Sequence, residues 1–421
     1  MKSFETIGIV PALVEGLQKT GIKEPTPIQE KAIPVIFKGR DIIAKAQTGT
    51  GKTLAFALPL LQRVHVDVYQ EQVLMIAPTR ELVKQIADDI RPLAQLIGVD
   101  VVALIGGQTI EGQLQKLGRR PHMIVGTPGR LLDHYRRGSL SLETIRAIVL
   151  DEADQMLHMG FLPDVESILQ AVNSNHQLLL FSATIPDKIR ALAKTYMTKA
   201  ESVTVAGKHV TVDTVEQRVY MVKASEKTAE LIKHIQKDNP YLAIVFCNTK
   251  DGAAKLSGEL IGSGLSVCEI HGDMAQGRRT QVLKEFTKGR HQILVATDIA
   301  ARGIDIEGIS HVYNYDVTHD VDYYIHRIGR TGRAGHTGLA ITFATEADEH
   351  WLRRIERNIQ ATITKYAPNG QLRIKGANRA EKKVKATKRA KPTSSYQATK
   401  KKVHKALGHK GSNNRRRRSR Y

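Results

Sequence analysis

The chain has 421 residues, 41% of them hydrophobic and 25% charged, which fits a folded globular protein with room for two or three domains. Those numbers and the chain's opening exclude several classes. No apolar run reaches the ~18 residues of a membrane-spanning helix, and the start, MKSFETIGIV, lacks the apolar stretch and cleavage site of a secretory signal. Two cysteines, Cys247 and Cys268, exclude a disulfide scaffold and a four-cysteine zinc site, and are expected to be small buried hydrophobes in a reducing compartment, the cytoplasm. Residues 371–421 hold 19 of the 63 basic residues but one of the 42 acidic ones, so that segment carries +18 of the net +21 and the first 370 residues only +3. A near-neutral body is therefore followed by a basic tail, which is expected to be disordered and to bind nucleic acid.

Along the body, short aliphatic runs recur at 41–44, 73–78, 101–105, 123–128, 147–154 and 178–184, separated by segments of helical periodicity such as Glu81 to Leu96. Continuous rather than alternating apolar runs predict an α/β fold with parallel strands covered on both faces, whose ligands sit at the carboxyl ends of the strands. The pattern restarts with runs at 243–249, 266–272, 292–298, 311–316 and 339–345. The stretch Ala206–Asp213 has little periodicity and reads as a linker, which divides the chain into domains at 1–207 and 208–366 and a tail at 367–421.

Three stretches carry chemistry. Ala46 to Thr53 (AQTGTGKT) lies between a strand signal and a helix signal, the context of a phosphate-binding loop. Its glycines let backbone N–H groups approach a phosphate, Lys52 reaches the β/γ-phosphates and the Thr53 hydroxyl binds Mg²⁺. Ala46 stands where the usual pattern has glycine. Asp151-Glu152-Ala153-Asp154 closes the strand AIVL; an acid there can hold Mg²⁺ while its neighbour orients an attacking water. Asp322 to Gly335 places Arg327, Arg330 and Arg333 at spacings of three among glycines, guanidinium groups suited to the spread charge of phosphoryl transfer. They lie in the second half of the chain, so acting on the same nucleotide as Lys52 requires the two halves to meet.

With these motifs in place, residues 1–365 resemble the DEAD-box ATP-dependent RNA helicases. Gly21 to Gln29 (GIKEPTPIQ), with Phe4 seventeen residues upstream of Gly21, resembles the family's adenine-reading Q motif, and a glutamine can pair with the N6/N7 edge of adenine. Pro78 to Leu82, Gly106-Gly107, Thr127 to Arg130, Ser182-Ala183-Thr184, Val245 to Thr249, Gln276 with Arg279, Ala296 to Asp305 and His326 to Arg333 follow in family order. The resemblance implies two tandem RecA-like domains that close over ATP, Mg²⁺ and RNA. Phe4, Gln29, Thr48, Gly49, Thr50, Gly51, Lys52, Thr53, Gly303 and Asp305 would hold the nucleotide, with Thr53 and Asp151 on the metal. Lys52, Asp151, Glu152, Arg330 and Arg333 would carry hydrolysis. Arg80, Gly107, Thr127, Arg130, Thr249, Arg279 and Thr297 would face the RNA backbone, and Ser182, Thr184, Asp154 and His326 would couple hydrolysis to unwinding.

One departure, Val317-Thr318-His319 after Tyr315-Asp316, is expected to alter only a surface loop. Trp351 is expected to pack rather than stack on a base. The core and bare basic tail resemble the bacterial RhlE and cold-shock type, which implies local unwinding of short RNA duplexes by a monomeric core, in ribosome assembly, messenger-RNA turnover or growth in the cold, with ribosomal or RNA-decay proteins as partners. An ATP-gated RNA clamp or annealing chaperone is the alternative reading; a related DNA helicase fits the motif texts less well.

Overall fold

Aliphatic runs without polar alternation are stable as strands covered on both faces, and two sheets of such strands form the frame of the protein. The computed structural model describes residues 3–46, 49–205, 215–301, 306, 308–332, 337–367 and 370–374. The first sheet comprises β1 (Ile42–Lys45), β2 (Val73–Ile76), β3 (Val101–Leu104), β4 (Met123–Gly126), β5 (Ala147–Asp151), β6 (Gln177–Ser182) and β7 (Glu201–Thr204). Their order is β3-β4-β2-β5-β6-β1-β7, and every neighbouring pair is parallel.

Alternate residues of one strand feed opposite faces. Val73 and Met75 of β2 join one apolar cluster and Leu74 and Ile76 the other; Val149 and Leu150 of β5 divide the same way. The expected two-sided burial of a parallel sheet is thus met residue by residue.

The second sheet comprises β8 (Val215–Met221), β9 (Leu242–Cys247), β10 (Val267–Ile270), β11 (Ile293–Thr297), β12 (Ile309–Asn314), β13 (Gly338–Ala344), β14 (Thr364–Tyr366) and β15 (Leu372–Ile374), in the order β10-β11-β9-β12-β13-β8-β14-β15. It is parallel except for the β14–β15 pair. Four strands, β7, β8, β14 and β15, have no counterpart among the expected aliphatic runs. β7 and β8 alternate or break their burial, and β14 and β15 are three residues each, too short for a periodicity to show.

The β14–β15 hairpin also corrects the expected tail boundary. Gly370 makes its turn at φ +77° and Ala367 N–H donates to Gln371 O at 2.8 Å, so the second lobe reaches Ile374 rather than ending at 366. The expected surface-loop role of Val317-Thr318-His319 is corrected too. Val317 and Thr318 are buried, and His319 stacks on Trp351 with ring centroids 4.4 Å apart. Trp351 packs against the second lobe's core, as expected. The expected linker and the tail from 375 lie outside the described residues.

The topology divides the first lobe's carboxyl edge in two. β5, β6 and β1 are neighbours, so the acids after β5, the Ser182 end of β6 and the glycine loop after β1 stand side by side although more than 100 residues separate loop from acids. β3, β4 and β2 form the other half and end at Gly106-Gly107, Thr127 and Thr79-Arg80. In the second lobe β10, β11 and β9 are likewise adjacent. No helix among the described residues is long and apolar enough to cross a membrane.

Cys247 and Cys268 are buried and unpaired, and burial pushes both thiols up to about 12. The thiolate is the reactive form, so at pH 8 iodoacetamide should label neither cysteine of the native protein and both after unfolding in guanidinium, as counted by intact mass.

Candidate active site between two lobes

Gly49 and Gly51 take φ of +79° and +88°, and Gly51 caps the helix Lys52–Arg63. Only glycine adopts such angles without strain, and the turn aims the first N–H groups of that helix outward, a ready anion site. A Cβ on Gly51 would stand 2.6 Å from Gln29 Nε2, so space as well as φ demands glycine there. Lys52 opens the helix and Thr53 follows it.

Lys52 is 6% exposed, and among the described residues its Nζ has no hydrogen-bond partner. The nearest counter-charge is Asp151 Oδ1 at 3.6 Å. Burial alone would favour loss of the Lys52 proton, but the charges of Asp151, Glu152 and Asp154 outweigh it and raise the pKa, so the group stays an ammonium. An ammonium out of water without hydrogen bonds is costly; acceptor oxygens beyond the glycine loop would satisfy it. Burial likewise pushes the Asp151 carboxyl up, offset in part by Lys52 and by the Glu152 N–H that donates to Oδ1 at 2.9 Å. Glu152 has a left-handed φ of 52°. For a non-glycine residue that strain is about 1–3 kcal/mol, of the kind that collects at functional sites.

The next acid is wired to β6. Asp154 is buried, its N–H donates to Ser182 Oγ at 3.1 Å, and its Oδ2 accepts from the Thr184 N–H at 2.8 Å and the Thr184 hydroxyl at 3.0 Å. Thr184 Oγ1 also lies 3.4 Å from Asp322 Oδ2 of the second lobe. Burial, then the charges of Asp320 and Asp154, push the Asp322 carboxyl up. The chain from helix Ala153–His158 through Thr184 to the second lobe is therefore continuous.

A second set of contacts crosses between the lobes beside a cavity of about 520 Å³. Thr79 caps the helix Arg80–Leu96, its Oγ1 accepting from Leu82 N–H at 3.2 Å, so Arg80 and Glu81 fall in the first turn where an acid complements the helix dipole. Glu81 Oε1 accepts from Arg279 Nε at 2.9 Å and from Gln276 Nε2 at 3.2 Å, while Arg80 Nη1 donates to Gln276 Oε1 at 3.2 Å. Arg80, Thr127, Arg130 and Arg279 line the cavity with Gly106. A Cβ on Gly107 would come within 2.5 Å of Arg80 Nη1, so that glycine makes room for the guanidinium. The chain thus presents cations along an open cavity and, at the neighbouring edge, a buried ammonium flanked by carboxylates.

Family models for the DEAD/DEAH box helicase and for the helicase conserved C-terminal domain match residues 26–192 and 226–335. The chain is 44% identical over 368 residues to the DEAD-box ATP-dependent RNA helicase CshA of Geobacillus kaustophilus, covering 87% of this chain and 79% of that one. It is 43% identical over 381 residues to the ATP-dependent RNA helicase CshA of Listeria monocytogenes, covering 89% and 73%. The chain belongs to the DEAD-box ATP-dependent RNA helicases. Among solved structures, S. cerevisiae Dbp5 bound to RNA and ADP BeF3 superposes with a TM-score of 0.81 at 32% identity, over 87% of this chain and 96% of that one.

Within the helicase frame, the expected site residues fall into three groups. Lys52, Thr53, Gly49, Thr50, Gly51, Asp151 and Glu152 lie together at the carboxyl ends of β1 and β5 in the first lobe. Arg330 is 5% exposed, just past the end of helix Val321–Ile328 that carries His326. Thr249 caps the helix Lys250–Gly262, its Oγ1 accepting from Gly252 N–H, and Thr297 ends β11, on the same strand edge but outside the cavity's lining. Thr48, Gly303, Asp305 and Arg333 lie outside the described residues.

Several residues do more than their motifs announce. Gln29 is 1% exposed, and its amide joins the Thr26 capping box and donates to Gly51 O at 3.0 Å, tying the Q motif to the phosphate loop. Phe4 is 1% exposed within the first lobe's core. Arg279 directs Nη1 to His271 O and Nη2 to Ala300 O besides its Glu81 pair, so it clamps the lobes together as well as lining the cavity.

Arg327 departs from the expected phosphate-facing cluster. It is 1% exposed, forks onto Asp298 at 2.6 and 2.7 Å, and donates to Asp316 O and Asn248 Oδ1 over the Phe246 ring. Its place on the buried face of a helix separates it from Arg330, which follows the helix end. His158, absent from the sequence reading, sits 3.6 Å from Asp320 of the second lobe, with its ring centroid 5.6 Å from that of Tyr323 in a tilted arrangement. Its only sequence signal is its position at the end of the acid-bearing helix.

Arg327→Met should leave Asp298 uncompensated and cost about 3–5 kcal/mol of second-lobe stability. Urea unfolding should report that loss, with nucleotide affinity of the still-folded protein little changed.

Proposed function

We propose that the protein hydrolyses ATP at the first lobe's glycine loop and uses closure of the second lobe to bend and separate short RNA duplexes bound across both. The observation that carries the nucleotide half is the Lys52 ammonium, buried, held protonated by three acids and, among the described residues, without a hydrogen-bond partner. That is the environment a triphosphate completes, and the donor set fits Mg²⁺: Thr53 and Asp151 are an oxygen pair at the loop and the facing strand end. The metal would neutralise developing phosphate charge.

The chain's own residues then divide the work. Lys52 and the loop's N–H groups bind and orient phosphate oxygens. Glu152, fixed by its strained φ beside Asp151, holds the attacking water. Arg330, with Arg333, brings positive charge from the opposite lobe, and the site excludes water only when the lobes meet. The Asp154–Thr184–Asp322 chain links that closure to the acids. Phe4 and Gln29 flank the base; a base could stack on Phe4 only where the core uncovers its ring.

Arg80, Gly107, Thr127, Arg130, Thr249, Arg279 and Thr297 face the RNA backbone, which makes recognition indifferent to base sequence. The bound RNA and ADP BeF3 of the Dbp5 relative support placing both ligands in this chain. The basic segment 371–421 adds sequence-tolerant, salt-sensitive affinity. A monomeric cytoplasmic enzyme acting in ribosome assembly, messenger-RNA turnover or cold adaptation, alongside ribosomal or RNA-decay proteins, is in keeping with the cold-shock-type resemblance and with two buried free thiols.

Lys52→Ala and Glu152→Gln should each reduce RNA-stimulated ATP turnover at least 100-fold, the scale of lost electrostatic or acid–base contributions. Glu152→Gln should still bind RNA with nucleotide. Wild-type turnover unaffected by RNA, yet stimulated by DNA of the same sequence, would overturn the RNA assignment.

A further inference from the structure

Beside the cleft cavity, the outer edge of β3 carries a second cavity of about 480 Å³. β3 is the terminal strand of its sheet and pairs only with β4, so one side of its backbone has no strand neighbour. Val101, Val102 and Ala103 form the floor, and Lys84, Arg91, Lys116 and Arg119 stand around it against two carboxylates, Asp88 and Asp100. Asp88 is already paired with Arg91 at 2.8 Å. Lys84, Lys116 and Arg119 are exposed, and among the described residues none has a side-chain ion pair or hydrogen bond.

The cavity adjoins the RNA-facing one through a single loop. Gly106 lines the first cavity, while Ile105 and Gln108 on either side of it line the second. The Gln108 carbonyl also accepts from Arg130 Nη2 at 3.2 Å, so a residue of the RNA cavity is fixed by the wall both share.

We propose that the nucleic-acid path continues past the cleft, over the 105–108 loop, into this basic groove, which grips the sugar-phosphate backbone of flanking single-stranded RNA. The proposal rests on the RNA-helicase reading of the cleft. A polyanion suits the groove because the surplus of cations is mobile, long-stemmed and exposed, able to follow phosphates without base contacts. Continuity with the cleft favours RNA over a peptide strand added to the β3 edge, for which four rim cations are not required. Gripping flanking strand outside the cleft would hold one strand after closure bends it, raising the duplex length over which a single closure is effective.

The test compares wild type with a Lys116→Ala/Arg119→Ala double variant and, as a control for net charge, a Lys188→Ala/Lys194→Ala variant on the helix Asp187–Tyr196. All three keep the full basic segment, so its contribution cancels. Binding of a 6-nucleotide and a 20-nucleotide poly(U) strand is measured against salt in the presence of a non-hydrolysable ATP analogue. Each phosphate contact on a single strand contributes about 0.7 to the slope of log affinity against log salt. The groove variant should lose about 1.4 from that slope and at least threefold in affinity for the 20-mer. Its 6-mer affinity, and its ATPase rate at saturating RNA, should equal those of wild type. A 20-mer slope unchanged from wild type, or a control variant that loses as much, overturns the groove. Failure of wild type to bind the 6-mer would instead sink the cleft reading beneath it.

Discussion

A positive charge that the fold has taken out of water and left unsatisfied sets the terms for this protein. The Lys52 ammonium lies 3.6 Å from the Asp151 carboxylate, and among the described residues its nitrogen has no hydrogen-bond partner. Moving such a group out of water costs several kcal/mol unless it is compensated. Asp151, Glu152 and Asp154 hold the charge in place, and their own repulsion grows as burial deepens. The arrangement is balanced only when an anion with many acceptor oxygens, accompanied by a cation for the acids, enters between them.

The sheet order turns this local demand into coupled action. Because β5, β6 and β1 are adjacent, the acids, Ser182-Ala183-Thr184 and the glycine loop share one edge, while β2, β3 and β4 deliver Arg80, Gly107 and Thr127, the residues proposed to face RNA, at the neighbouring edge. The second lobe touches both. Asp322 meets Thr184 near the acids, and Arg279 with Gln276 meets Arg80 and Glu81 beside the cavity. Under the proposed function, two ligands that each favour the arrangement in which these contacts form would reinforce one another through it.

Much of this was legible in the sequence because the relevant signals are local. A strand, glycines and a lysine before a helix specify the loop; an apolar strand ending in DEAD specifies the acids. What escaped the sequence depends on which way a side chain points after folding. Arg327 and Arg330 are three residues apart and look alike in the string, but the helix ends between them: the first forks onto Asp298, while the second, also buried, lies past the helix end with its Nε on His326 O. His158 and Asp322 acquire meaning only when the lobes touch. β7, β8, β14 and β15 lack continuous apolar runs because they are short or lie towards one edge of a sheet, where backbone pairing rather than side-chain burial defines the strand.

The proposal that RNA and ATP together, acting through Lys52, shift the two lobes relative to one another is most directly tested by fluorescence transfer between dyes on the two lobes. The native cysteines are buried, so dyes can be placed at Tyr69→Cys and Ile261→Cys, positions 64% and 54% exposed on different lobes. The account predicts a change in transfer only when RNA and a non-hydrolysable ATP analogue are present together, and none when Lys52→Ala is added. The same change with RNA alone, or its persistence in the Lys52→Ala protein, would contradict it.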